Sequence, residues 1–150
     1  MASTATLYTP GVLALATGLS EYPWDPALPL QGEARSKSCG STIALGLGLD
    51  AAGRIDRIGL RSQACAIGQA AAAIFARAAI GRSADDIRAA DEAIAAWLAG
   101  EGDLPDWPGL DAIAAARDYP ARHGAIRLAW QAARSSLVPI GLLPTGDMPR

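Results

Sequence analysis

The sequence is poor in the residues that make most sites easy to recognise. It has two cysteines, one histidine, one phenylalanine and two methionines in 150 residues. One histidine cannot build a multi-histidine metal cage, and no serine or cysteine partner for it is defensible as a catalytic triad, so a non-enzymatic protein is expected. Blocks of like charge are also missing. With a net charge of −2 and a pI near 5.3, the chain shows no electrostatic footprint for a nucleic-acid backbone. Long apolar runs are absent too. The longest, Ala64 to Ile80, is interrupted by Gln69 and Arg77 and is too short to span a bilayer. Met1 to Thr9 carries no basic segment ahead of an apolar one, so no secretory signal is visible and a cytoplasmic protein is expected.

What is abundant is alanine, with 34 residues. Alanine inflates the 51% hydrophobic fraction while burying little area per residue, so the larger Val, Ile, Leu, Phe and Trp side chains must supply most of the core. Trp97, Trp107 and Trp130 are expected inside. The length suits one domain.

The chain opens on a helix expected from Leu7 to Leu19. Thr9 stands as N-cap, Pro10 takes the first helical position, and Val12, Leu13, Leu15, Ala16 and Leu19 form a rough apolar stripe. Three prolines between Glu21 and Pro29 exclude regular structure there. The period then changes to two. Glu33 to Ser38 suits an edge strand. Thr42 to Asp50 alternates, with Ile43, Leu45, Leu47 and Leu49 on one face and Ala44, Gly46 and Gly48 on the other. After a turn ending at Gly53, Arg54 to Ser62 makes a third strand. Glycines on one face of this antiparallel meander imply close approach by another element.

From Cys65 onward the pattern is helical. Cys65 to Ile80 is alanine-rich and ends at Gly81. Ser83 to Asp86 resembles a capping box, opening a helix to about Leu98. Asp85, Asp86, Asp91 and Glu92 are expected on its solvated face. A loop from Gly100 to Pro108, a short helix from Leu110 to Arg117 and a last helix from Arg122 to Leu137 follow. Val138 to Arg150 reads as a flexible tail. The expected class is α+β: a small three-stranded antiparallel sheet packed by an N-terminal helix and a C-terminal run of helices, forming one domain over residues 1–137.

Two cysteines in a reducing compartment serve metal binding or catalysis, or lie buried and inert. Cys39 falls at the turn between the first two strands, followed by Gly40. Cys65 opens a helix, where free N–H groups and the helix dipole favour an anionic ligand atom. Two sulfurs on neighbouring loop ends would form half of a tetrahedral soft-metal site. A spacing of 26 positions matches no dedicated metal finger.

The motifs, taken in order, resemble the IscU/SufU/NifU N-terminal group of iron–sulfur cluster assembly scaffolds. Leu7-Tyr8-Thr9-Pro10-Gly11-Val12-Leu13 is similar to the family's opening helix. Ser38-Cys39-Gly40-Ser41 before an alternating strand resembles its Cys-Gly-Asp motif. Gln63-Ala64-Cys65-Ala66-Ile67, followed by a small-residue helix and Gly81-Arg82-Ser83, resembles its second cysteine motif. Tyr119 to Ala132 is similar to the third motif in SufU-type members, and the long stretch before it also resembles that branch. The likeness covers roughly residues 7–137.

The resemblance implies a scaffold or carrier of an iron–sulfur cluster or iron, with zinc as the alternative metal. It implies a cysteine desulfurase and recipient apoproteins as partners. Family ligands are three cysteines and the aspartate of Cys-Gly-Asp. Cys39 and Cys65 match the first two cysteines, Ser41 stands for the aspartate, and Ala125 stands for the third cysteine. Alanine can neither bind metal nor accept sulfur, and Ser41 reads either as a poor ligand or as a plain turn residue. A helical irregularity near Gly124 would turn His123 towards the thiols, giving Cys39, Cys65 and His123 as metal ligands. Otherwise His123 is a hydrogen-bonded or exposed residue behind Pro120. Two copies of the chain, each offering Cys39 and Cys65, would make a four-thiolate site across a homodimer. Arg122 reads as a steering charge or as a solvated surface residue. A family member that has lost the cluster and regulates a desulfurase, or a zinc-binding sulfur-transfer partner, are the alternative functions.

Overall fold

The computed structural model describes residues 7–37 and 40–137. The residues Ser38 and Cys39, and the tail from Val138, lie outside them.

Helix α1 spans Pro10–Thr17 and passes into a 3₁₀ turn over Gly18–Glu21. Thr9 caps it as expected, its Oγ1 accepting from the Val12 N–H at 3.2 Å, with Pro10 in the first turn where no N–H is needed. Only Val12 of the expected stripe is fully buried. Leu13, read as inward, is 48% exposed, because eight residues give two turns and one contact line.

Strands β1 (Leu30–Arg35), β2 (Thr42–Leu49) and β3 (Ile55–Gln63) form an antiparallel sheet in the order β1-β2-β3. β1 is an edge strand, but it begins at Leu30, immediately after Pro29, and stops at Arg35. The Ser36 N–H then donates to the Ser41 carbonyl at 2.8 Å and closes the hairpin, so Ser36 and Lys37 belong to the turn. The register sets Gly32, Leu45 and Leu60 side by side on one face and Glu33, Ala44 and Arg61 side by side on the other. The expected alternation of β2 holds, and both faces are buried over Ile43 to Gly48.

Glycine placement explains the packing. A Cβ on Gly32 would run into the Ala132 carbonyl, so the last helix crosses directly over β1 on the core face. On the opposite face, a Cβ on Gly59 would strike the Pro23 carbonyl, and one on Gly46 would lie 3.0 Å from Leu28 Cβ. The proline-rich segment before β1 is therefore the element that the glycine face receives. The turn to β3 is held by Asp50 Oδ1, which accepts from Ala52 and Arg54 N–H groups, and Gly53 takes φ +80°.

Helix α2 (Ala66–Ala79) is buried on nearly every side, which its alanines permit by letting neighbours approach closely. Phe75 stacks on Trp107 at 5.6 Å and meets Trp130 edge-on at 5.4 Å, so two of the expected core tryptophans converge on the chain's one phenylalanine. Trp97, also expected inside, is 4% exposed. Helix α3 (Ala84–Leu98) begins with the anticipated capping box. The chain then makes a 3₁₀ segment at Leu110–Asp118, where a regular short helix was expected. Ile113 departs from helical geometry there, at φ −114°. Helix α4 (Pro120–Leu137) starts two residues earlier than anticipated, with Pro120 in its first turn rather than as a break.

One expectation for α3 is wrong. Asp91 is not on a solvated face but 1% exposed, between α3 and α4. Arg127 reaches it with Nε at 3.1 Å and Nη2 at 3.2 Å, and Arg134 Nη1 lies at 3.0 Å. A carboxylate is buried at this depth when cations and their N–H donors replace its hydration. Among the described residues no helix is long and apolar enough to cross a membrane.

Candidate functional site

The sheet and α2 together position Cys65. β3 ends at Gln63, and Cys65 then takes extended backbone geometry (φ −64°, ψ 169°) as the N-cap of α2. Its carbonyl accepts from the Gln69 N–H at 2.9 Å, and the Gln69 side-chain amide donates to the Ala64 carbonyl at 2.8 Å. These two bonds tie the strand end to the first helical turn. The thiol is partly exposed and is a free cysteine.

Ala125 of α4 packs against this same turn. A Cβ built on Gly68 would come within 2.9 Å of Ala64 Cβ and 3.2 Å of Ala125 Cβ. The position aligned with the family's third cysteine therefore sits against the helix that Cys65 opens, and Ala125 is 1% exposed. Ser41 is 4% exposed, at the base of the hairpin that leads from Cys39 into β2. Cys39 itself lies outside the described residues.

His123 is placed elsewhere. Helix α4 runs without interruption through Gly124, so the irregularity that would swing the ring towards the thiols is absent. At about 100° per residue, position 123 lies about 200° round the helix from Ala125. The ring Nε2 is 2.7 Å from the Arg117 carbonyl, and His123 lines a groove with Ala95, Leu98 and Ala99 at the end of α3. Its hydrogen bond tethers the preceding 3₁₀ segment to α4. Among the described residues no three of His, Cys, Asp and Glu gather in a metal-holding group.

The arrangement thus supplies one accessible thiol on a helix N-cap, a second cysteine two strands away in the chain, and a third position filled by a buried methyl. Chemically, the Cys65 thiol is a soft donor.

Comparison with known proteins agrees with this architecture. No protein-family model matches the sequence, and no curated protein matches it. Among solved structures, the N-terminal part of a nitrogen-fixing NifU-like protein from Brucella abortus is similar over 91% of this chain and 96% of its own, with a TM-score of 0.83 and 28% identity. A putative iron–sulfur cluster assembly scaffold protein for the SUF system from Fervidobacterium islandicum is similar over 90% of this chain and 99% of its own. There the TM-score is 0.79 and the identity 17%, a likeness of fold. Motif order, sheet topology and near-complete overlap point the same way: the chain is similar in fold to the NifU-like and SufU structures.

Proposed function

We propose that this protein is a non-enzymatic scaffold or carrier for iron–sulfur cluster assembly, and that Cys39 and Cys65 bind iron or the nascent cluster as cargo. The observation that carries the reading is the placement of Cys65 at the head of α2, against Ala125 of α4, within a fold shared with the NifU-like and SufU structures. A cysteine desulfurase as sulfur source and recipient apoproteins as acceptors follow from the same likeness. Two thiolates per chain leave a cluster under-ligated, so completing four-thiolate coordination requires a second copy of the chain. His123 would join only by giving up its bond to Arg117 and leaving the α3 side of α4.

The test is anaerobic reconstitution with ferrous iron and sulfide, read by visible charge-transfer absorbance and by iron per chain. Wild type is expected to take up iron with the chromophore, and Cys65→Ala to lose both. Retention of the chromophore in Cys65→Ala defeats the reading.

A second reading is favoured by one observation. Ala125 and Ser41 fill the other two ligand positions with buried, non-ligating side chains. This suits a family member that has given up the cluster and acts by binding a desulfurase. No metal uptake together with a stable desulfurase complex supports it. Zinc uptake in place of iron points instead to a zinc-binding sulfur-transfer partner, although Ala125 has no sulfur to accept a persulfide.

A further inference from the structure

The core face of the sheet is covered by α4; on the opposite face, among the described residues, the segment from Pro23 to Leu28 lies over Gly46 and Gly59 and the Arg57 side chain lies over Gly48. Beyond that cover the face opens into a groove of about 510 Å³, with Glu33, Thr42, Ala44, Arg61 and Gln63 among its lining residues. The register puts Arg35 in the same row as Thr42 and Gln63, and Lys37 follows at the turn. The groove lies at the end of the sheet from which the Cys39 hairpin and the link to Cys65 depart.

We propose that this groove is a docking surface for an acidic segment of a protein partner. Charge carries the choice of occupant. In a chain of net charge −2, Arg61 and Glu33 line the groove, and Arg35, in the row of Thr42 and Gln63, and Lys37, at the turn, add two cations at its edge. The ion pairs among the described residues lie elsewhere: Arg54, Arg57, Arg88, Arg127 and Arg134 have carboxylate partners, and these three cations do not. Arg61 instead lies over the Trp24 ring, 4.6 Å from its centroid. The stack holds the guanidinium in place while leaving its N–H fork available for a carboxylate. Thr42 and Gln63 add neutral hydrogen-bonding groups, and Ala44 gives a flat floor. Arginine is among the side chains that dominate binding energy at protein interfaces. The inference does not depend on the cysteines binding a cluster.

Trp24 is a built-in reporter, because the other three tryptophans are 4% exposed or less. The full chain is titrated with an extended peptide alternating glutamate and valine, following tryptophan fluorescence at low salt, with a glutamine-for-glutamate peptide in parallel. A saturable change is expected with the acidic peptide, weakened at least tenfold in Arg61→Gln and in Arg35→Gln, and unchanged in Arg88→Gln on the remote helix α3. The glutamine peptide is expected not to bind. Trp24→Phe is expected to remove the signal. Circular dichroism melts of the arginine variants confirm that they fold. The proposal is overturned if the acidic peptide does not bind, if both arginine variants bind it like wild type, or if the glutamine peptide binds equally. Tighter binding of a single-stranded oligonucleotide than of the peptide also overturns it, in favour of a nucleic-acid surface.

Discussion

At the scale of single residues, the proposed function turns on how the motif positions are filled. Ala125 is the informative one. Its methyl meets the first turn of α2, so Ala125→Cys places a third sulfur near Cys65 at the cost of one added atom in a tight contact. Under the proposed function, this variant is expected to hold more iron per chain than wild type after reconstitution and desalting. An unchanged iron content would count against the site. Asp91 makes a second residue-level prediction. Its carboxylate is surrounded by Arg127 and Arg134, which are themselves 31% and 39% exposed. Asp91→Ala strands two guanidinium groups that can partly rehydrate, and a loss of about 3 kcal/mol in denaturant unfolding is expected, the lower end for a broken buried pair. Spacing alone could not reveal this triad, because Asp91 lies 36 and 43 positions from Arg127 and Arg134 and all three charges are ordinary on a helix surface. An inward-facing Asp91 among Ile87 and Ile94 was the one available hint.

At the scale of elements, local chemistry was largely legible. Thr9, Pro10, Ser83, Asp86 and Gly53 do what their residue types predict, because caps and turns are satisfied within a few residues. The α3 cap yields a test. The Ser83 N–H donates to Asp86 Oδ2 at 3.0 Å, and Asp86 N–H donates to Ser83 Oγ at 3.2 Å. The Ser83 backbone bond, aided by the Ser83 hydroxyl and Arg54, holds the Asp86 carboxyl below its ordinary value of 3.8. A depressed folded-state pKa means that the cap contributes fully above the unfolded value and loses its contribution as pH falls through the folded one. Ser83→Ala is expected to cost about 1 kcal/mol at neutral pH. Its stability deficit against wild type should shrink below pH 4, measured by thermal melts across that range. Element boundaries were less legible. β1 begins at Leu30 and Leu110–Asp118 winds as a 3₁₀ segment, since pairing with β2 and docking against α2 overrule local preference.

At the scale of the whole molecule, two layers meet across Gly32. The close passage of α4 leaves no room for a side chain there, so Gly32→Ala is expected to destabilise by about 3 kcal/mol through forced separation of sheet and helix. The loss is measured by urea unfolding. A loss below the noise would mean that α4 can slide on the sheet. Under the proposed function, loosening α4 on the sheet is expected to weaken iron retention in parallel.

The residue order by itself determined the class of the protein. Alternating Ile and Leu, then alanine-rich helical runs with their caps, specify a small meander and helices, because periodicity and capping are short-range properties. The motif sequence around Cys39, Cys65 and Tyr119 to Ala132 pointed to the family before any geometry. Which side chains meet was decided only in three dimensions. The direction of His123, the depth of Asp91, the contact of Ala125 with Gly68 and the uncovered face bearing Arg61 all depend on how α4 lies on the sheet. That placement is the joint result of many long-range contacts, and no local window of sequence contains it.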